Sequence, residues 1–248
     1  MKFSIVTVSF NAETTIADTL RSVAEQSHPD VEHIVVDGGS RDGTVPLIEK
    51  HLRTGGRYVS EHDNGLYDAM NKGIAMAKGD MIGLLNADDM YADKDILARI
   101  AAHANSRSVD AVLCDVGFFK DGAPDRIIRR YDSGHFKPGR LGWGWMPAHP
   151  GMFLTSAAYD KVGAYRTDYK IAADFEFIAR AFRVHGLTYS HMREIAVLMR
   201  AGGISTSGLK SKMTINAEVL RACRENGIYS NTAMLLSKYP RKLLEMIS

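Results

Sequence analysis

The stretch GLLNADD, residues 83–89, ends an apolar run in two adjacent carboxylates, Asp88 and Asp89. Like charges side by side repel, and burying both without a counter-charge is costly. Two other segments deliver acids after short β-branched runs: HIVVD ends at Asp37, and RYVSEHD carries Glu61 and Asp63. One acid at a strand end is commonly a helix cap. Acids at three strand ends ask for a counter-charge, and a divalent cation is one answer. Mg2+ takes one or two protein carboxylates and fills its other positions with water and phosphate oxygens. In an extended segment Asp88 and Asp89 point to opposite sides. One can hold a metal while the other accepts hydrogen bonds from a ribose, and Asp37 can accept from a base N–H or a sugar hydroxyl. The set predicts a metal–nucleotide site, against the plainer reading of a solvated acidic rim.

The elements that must position these acids alternate in type. Residues 3–9, 33–37, 57–63 and 80–86 read as short buried strands. Helices are expected over 12–26, after a cap at Asp42, over 66–78 and after a cap at Asp93. This alternation predicts an α/β fold with a Rossmann-like, mostly parallel central sheet flanked by helices. In such sheets ligands bind beyond the carboxyl ends of the strands, where the acids lie. Further on, 110–119 and 125–131 read as strands around a KDGAP turn. Residues 135–151 hold four Gly, three Pro and both Trp and read as a loop; 171–186 reads as a helix. TYSHM and EIAVLM suggest two more strands, and about the last forty residues suggest two helices. SFNAETT after the first strand lacks the glycine fingerprint of a dinucleotide site, and DGGSRDGT lacks the Lys of a P-loop. A diphosphate must then be balanced by metal and side chains.

Five motifs in this order, SIVTVSFNA, VVDGGSRDGT, SEHDNGLYDAMNKGIAMAKGD, GLLNADD and IAADFEF, resemble those of inverting family 2 glycosyltransferases of GT-A fold. The resemblance covers residues 3 to about 205 and leans toward the bacterial group that builds capsule, exopolysaccharide or lipopolysaccharide. It implies a GT-A domain over 1–205, with a nucleotide-binding half (1–105) and an acceptor or catalytic half (106–205), followed by a helical extension over 206–248. It implies that Ser9 and Asn11 cover the base, that Asp37 binds the base, that Asp63 lines the donor site, and that Asp88 lies near the ribose. Asp89 would hold Mg2+ or Mn2+ on the donor diphosphate, and Asp174 would be the catalytic base. Two departures stand out. Asn86 replaces an acid found in many members, leaving the metal fewer protein charges. Met70 replaces an Arg of the third motif, with Asp68 or Lys72 as substitutes for its contact.

An inverting transfer needs a base for the acceptor hydroxyl and a counter-charge for the departing diphosphate. Asp174 opens a predicted helix, where the dipole is expected to lower its pKa. Such a position equally suits an ordinary cap, and Glu176 is the alternative base. His149 can touch donor phosphate or acceptor, or be an ordinary loop histidine. Trp143 and Trp145 can stack on sugars and close over the site, or pack on the sheet. Lys137 and Arg140 can help balance the diphosphate. Two further readings remain: a sugar nucleotidyltransferase, though SFNAETT is neither glycine-rich nor basic, and a non-catalytic GT-A module that binds nucleotide-sugar.

Composition excludes several classes. The formal net charge of the 248-residue chain is +2, so no global field points to nucleic acid. Residues 190–248 carry nine Lys/Arg against four Asp/Glu, hence +5, which leaves −3 for residues 1–189. Lys238, Arg241 and Lys242 among Leu235, Leu236, Leu243, Leu244 and Ile247 suggest a basic amphipathic helix for peripheral membrane contact; core packing or a homodimer contact is the alternative, and Pro240 interrupts the pattern. Two widely separated cysteines form neither a disulfide framework nor a zinc site. No leader or membrane-spanning run is expected. The expected setting is cytoplasmic, at the inner face of the plasma membrane if the helices dock there. The expected partners are a nucleotide-sugar donor, UDP-linked first with GDP and dTDP as alternatives, and a glycan or lipid-linked acceptor.

Overall fold

The computed structural model describes residues 1–202 and 208–237. The basic segment around Lys238, Arg241 and Lys242 lies outside them. The strands are β1 (Phe3–Ser9), β2 (Val31–Asp37), β3 (Arg57–Ser60), β4 (Met81–Asn86), β5 (Asp89–Tyr91), β6 (Ala111–Lys120), β7 (Ala123–Tyr131), β8 (Met152–Thr155) and β9 (Tyr189–Arg200). The helices are α1 (Ile16–Ala24), α2 (Thr44–His51), α3 (Leu66–Met76), α4 (Ile96–Arg107), α5 (Ser156–Val162), α6 (Ala173–Ala179), α7 (Gly208–Glu225) and α8 (Thr232–Leu236).

The nine strands among the described residues join one sheet in the order β3-β2-β1-β4-β8-β6-β9-β5, with β7 on β6. The expected α/β architecture is present. β1, β2, β3 and β4 are parallel. Beyond β4 the sheet is mixed, because β8 runs antiparallel to both β4 and β6 and β5 runs antiparallel to β9. β1 is buried along its whole length, which is why it reads as an unbroken β-branched run. Its side chains alternate between faces. Phe3 and Ile5 join a core with Ile96, Leu97 and Ile100 of α4, whereas Val6 and Val8 join one with Met70 of α3 and Phe175 of α6.

Several boundaries differ from the sequence pattern. β3 stops at Ser60, so Glu61 and Asp63 lie beyond the strand. β4 stops at Asn86; Asp88 sits in the turn after it, and Asp89 opens β5 rather than ending β4. TYSHM and EIAVLM form one strand, β9, whose register to β6 slips at Cys114/Asp115 and again at Asp115/Val116. Together the two slips insert three residues in β9, which re-aims side chains and looks like a break in the alternation. The predicted helix over 171–186 is α6 followed by a wider π-helical turn at 180–184. β8 and α5 gave no clear pattern because each is short. The Trp-rich loop contains short helical turns at 133–135, 138–143 and 149–151.

α3 approaches β1 closely through Gly73, where an added Cβ would run into Val6 Cγ1. Gly73→Ala is expected to destabilise the protein by about 1–3 kcal/mol, the usual cost of overpacking. Urea unfolding would measure it; an unchanged midpoint would show that α3 can shift freely on the sheet.

Candidate active site

The loop after β2 is built around Asp37, which is completely buried. Its Oδ1 accepts from Ser9 Oγ (3.1 Å) and Ser40 Oγ (2.5 Å). Its Oδ2 accepts from the backbone N–H of Gly39 (3.1 Å) and Ser40 (2.9 Å) and from Ser60 Oγ (2.7 Å). Burial alone would raise this carboxyl, but the donors from Ser40, Ser60 and Ser9 outweigh it and hold its pKa below the usual value. Asn11, in a left-handed conformation with φ 49, donates its N–H to Ser40 Oγ (2.7 Å), and its Oδ1 accepts from Arg41 N–H (3.0 Å). Asp37 thus ties together the ends of β1, β2 and β3. Asp63 lies against Gly38 and accepts from Gly65 N–H (2.8 Å) at the start of α3.

Asp88 is half-buried in its turn. Asp89 is buried. Asn86 Nδ2 donates to its Oδ2 (3.1 Å), and its Oδ1 has no partner. Burial first, and Asp88 second, push its pKa well above the usual carboxylate range. A buried carboxylate oxygen without a donor is costly, and a cation bound at it would remove that cost. The residues present therefore fit a divalent metal at Asp89. Arg200 stands close by and was not signalled by the sequence. Its guanidinium pairs with Asp18 (3.3 Å) and Asp121 and stacks on Phe119, while its Nε is buried without a partner.

The third motif divides its work by helical face. Lys72 pairs with Glu61 (2.8 Å) and lies 3.8 Å from Asp68; the Glu61 hydrogen bond heads the causes that raise its pKa. Asp68 accepts from Asn64 N–H (3.0 Å). One residue earlier in each turn, Tyr67 and Asn71 reach across to the other half of the chain. Tyr67 Oη donates to Ile171 O. Asn71 clamps Tyr165, donating to its carbonyl (2.8 Å) and accepting from its N–H (2.7 Å). Glu218 of α7 accepts from the N–H groups of Lys170 (2.7 Å), Ile171 (2.9 Å) and Ala172 (2.9 Å). None of these three was singled out by the sequence, because each is defined by a partner more than forty residues away.

The clamped segment leads into α6 and Asp174. Its Oδ1 accepts from Phe175 N–H (2.7 Å). Its pKa is raised to about 6, chiefly by burial and further by Glu218, against the two backbone donors. This reverses the lowering expected from the helix dipole: the loss of water outweighs a two-turn helix. Asp174 lines a cavity of ≈ 260 Å³ with His149, Trp145, Phe118, Arg129 and Met199. His149 is buried and hydrogen-bonded to Tyr165 Oη (3.0 Å), and burial lowers its pKa to about 4, so it is neutral at pH 7. Trp143 is exposed and does not line this cavity. Lys137 and Arg140 are exposed on the same loop. Glu176 is buried and paired with Arg180 (3.0 Å) away from the cavity, so its carboxylate serves the packing of α6 on the 162–164 turn.

A second group with metal-like spacing is Asp115, Asp132 and His191. Asp115 already accepts from Arg130 Nε (2.9 Å) and Nη2 (2.5 Å), Ser133 N–H (2.9 Å) and His191 Nε2 (2.7 Å). A cation would have to displace Arg130 there, whereas Asp89 offers an oxygen with no partner.

One consequence for stability follows from Asp89. Its carboxyl has a raised pKa in the folded chain, so its ionisation opposes folding as pH rises above the usual carboxylate value. In metal-free buffer at pH 7, Asp89→Asn is expected to raise the melting temperature by about 2 °C or more, with the gap closing near pH 4. A lower melting temperature than wild type at pH 7 would refute the unpaired carboxylate.

Residues 4–163 match Glycosyl transferase family 2. A PGL/p-HBAD biosynthesis glycosyltransferase of Mycobacterium bovis is 30% identical over 213 residues, covering 83% of this chain and 79% of that one. Among solved structures, Staphylococcus aureus TarS 1-349 in complex with UDP-GlcNAc superposes with a TM-score of 0.70 at 20% identity, covering 89% of this chain and 67% of that one. This chain spans 45% of the longer TarS structure. Glucosyl-3-phosphoglycerate synthase of Mycobacterium tuberculosis, solved with Mn2+, UDP and its product, superposes at 0.63 and 17% identity, covering 93% and 81%. The fold is that of the GT-A enzymes, and the family sets aside the nucleotidyltransferase alternative. The chain belongs to Glycosyl transferase family 2 and is a glycosyltransferase.

Proposed function

We propose that this enzyme transfers a sugar, with inversion and with the help of Mg2+ or Mn2+, from a nucleotide-sugar to a hydroxyl of a glycan or lipid-linked acceptor in bacterial surface-polysaccharide assembly. The observation that carries the reading is the buried, unpartnered Oδ1 of Asp89 beside Asp88, in the same molecule as a raised carboxyl, Asp174, in a cavity. UDP is the favoured nucleotide, since the TarS and glucosyl-3-phosphoglycerate synthase structures hold UDP-GlcNAc and UDP. GDP and dTDP are the alternatives.

Residues 1–105 hold the donor and 106–205 the acceptor. Ser9, Asn11 and Asp37 shape the base pocket, and Asp37 does so as the buried anchor of its loop. Asp63, Asp68 and Lys72 form the charged rim beside it, and Asp88 faces the ribose. Asp89 holds the cation, which supplies counter-charge to the departing diphosphate. Asp174 accepts the proton of the acceptor hydroxyl as the oxygen–carbon bond forms and the bond to the diphosphate breaks. A pKa of about 6 leaves Asp174 ionised at pH 7 yet basic enough to accept that proton. Neutral His149 and Trp145 line the acceptor side, with Trp143 as an outer lid contact. Among the described residues no helix is long and apolar enough to cross a membrane. Membrane contact is proposed for the basic C-terminal segment, on a cytoplasmic enzyme.

Calorimetry with UDP, with and without Mn2+, tests the donor half. Metal-enhanced binding that disappears in Asp89→Ala is expected; metal-independent binding that survives the change would overturn the metal role. For the base, Asp174→Asn should keep UDP affinity and lose at least about a hundredfold in transfer rate, read as UDP released from the donor in the presence of acceptor glycans. In the wild type that rate should fall about tenfold per pH unit below about 6, because the base must be ionised. A flat profile from pH 5 to 7 would remove Asp174 from that role.

A further inference from the structure

Strand register places four residues in one row across the sheet. Asp89 of β5 is opposite Met199 of β9. Met199 is level with Phe118 of β6, and Phe118 is level with Arg129 of β7. Residues level with one another on neighbouring strands project from the same face. The row therefore runs from the proposed metal ligand, across two apolar side chains, to a guanidinium. Three strand-to-strand steps of about 4.8 Å span roughly 14 Å. Met199, Phe118 and Arg129 all line the cavity that holds Asp174.

Arg129 differs from the arginine next to it. Arg130 is locked onto buried Asp115. Arg129 lies 4.0 Å over the face of Phe118 and has no carboxylate partner among the described residues. Stacking on an aromatic ring holds the planar guanidinium in place while leaving its fork of N–H donors for a ligand. The Arg129 backbone stands three strands, roughly 14 Å, from that of Asp89, and its guanidinium leans back over β6. The cavity that Arg129 lines with Phe118, Met199 and Asp174 measures ≈ 260 Å³, just below the range of about 300–1,000 Å³ typical of drug-sized ligands. It takes one ring-sized group, and its floor is apolar.

We propose that Arg129 is the specificity residue of the acceptor site, and that it reads a carboxylate or phosphate carried one ring away from the hydroxyl that is glycosylated. The proposal rests on Asp89 and Asp174 marking the donor and base as argued above. The acceptor ring lies beside Met199 and Trp145, its hydroxyl turns toward Asp174, and its anionic substituent meets the Arg129 guanidinium stacked on Phe118.

Three probes that share a phenyl group isolate the charge: phenyl β-glucoside, phenyl β-glucuronide and phenyl phosphate. Their binding to the full chain is measured by ligand-observed NMR, with and without UDP and Mn2+. At least one anionic probe should bind about tenfold tighter than the glucoside, a preference of the size that a well-placed guanidinium supplies. Preference for the glucuronide points to an acidic sugar, and preference for the phosphate to a phosphate-linked acceptor. In Arg129→Gln the preference should fall to within about twofold, and Arg129→Lys, which keeps charge but not the fork, should retain part of it. Equal binding of all three probes by the wild type would overturn the proposal, as would a preference that survives in Arg129→Gln. Failure of UDP to bind would count against the donor reading, and the anion preference would still be readable without nucleotide.

Discussion

A strand of only three residues governs the layout of the site. β5 pairs with the far end of β9, and this pairing holds Asp89 in a buried position instead of leaving it on a solvated rim. Once there, Asp89 has one oxygen held by Asn86 and one with no partner. Proteins rarely leave such a group uncompensated. Arg200, on the neighbouring position of β9, brings a partly buried cation and a backbone N–H that both lower the Asp89 pKa without overcoming burial and Asp88.

The second half of the site depends on a different kind of contact. Asp174 sits at the start of a helix of only two turns, too short to place a carboxylate by itself. The segment before it is fixed from two sides, by Tyr67 and Asn71 of α3 and by Glu218 of α7. α3 in turn is seated on β1 through Gly73. The GLYDAMNKG helix thus works as a bracket for the segment that leads to Asp174. Burial produced by this packing raises Asp174 to about 6, where helix position alone pointed the other way.

Much of the fold was legible in residue patterns. The apolar runs of β1, β2 and β4 follow from burial on both faces of a parallel sheet, and with the helical periodicity between them they match the observed elements closely. The mixed part was harder. β5, β8 and α5 are too short to establish a period, and the register slip in β9 split one strand into two apparent ones. Of the candidate site, Asp37, Asp88, Asp89, Asp174, Trp145 and His149 were named from the sequence. Tyr67, Asn71, Glu218, Arg129 and Arg200 were not, since nothing local marks them.

The sequence by itself determined which chemistry is present: adjacent acids after a strand, an acid at a helix start, and motifs of a glycosyltransferase family in order. Residue types and short spacings carry that information, because they act within a turn or a strand. Only the tertiary structure decided which acid is buried, which oxygen lacks a partner, and which pKa rises. It also decided that Asp89, Met199, Phe118 and Arg129 share a row. Those properties come from desolvation and strand register, and both are set by contacts between segments far apart in the chain.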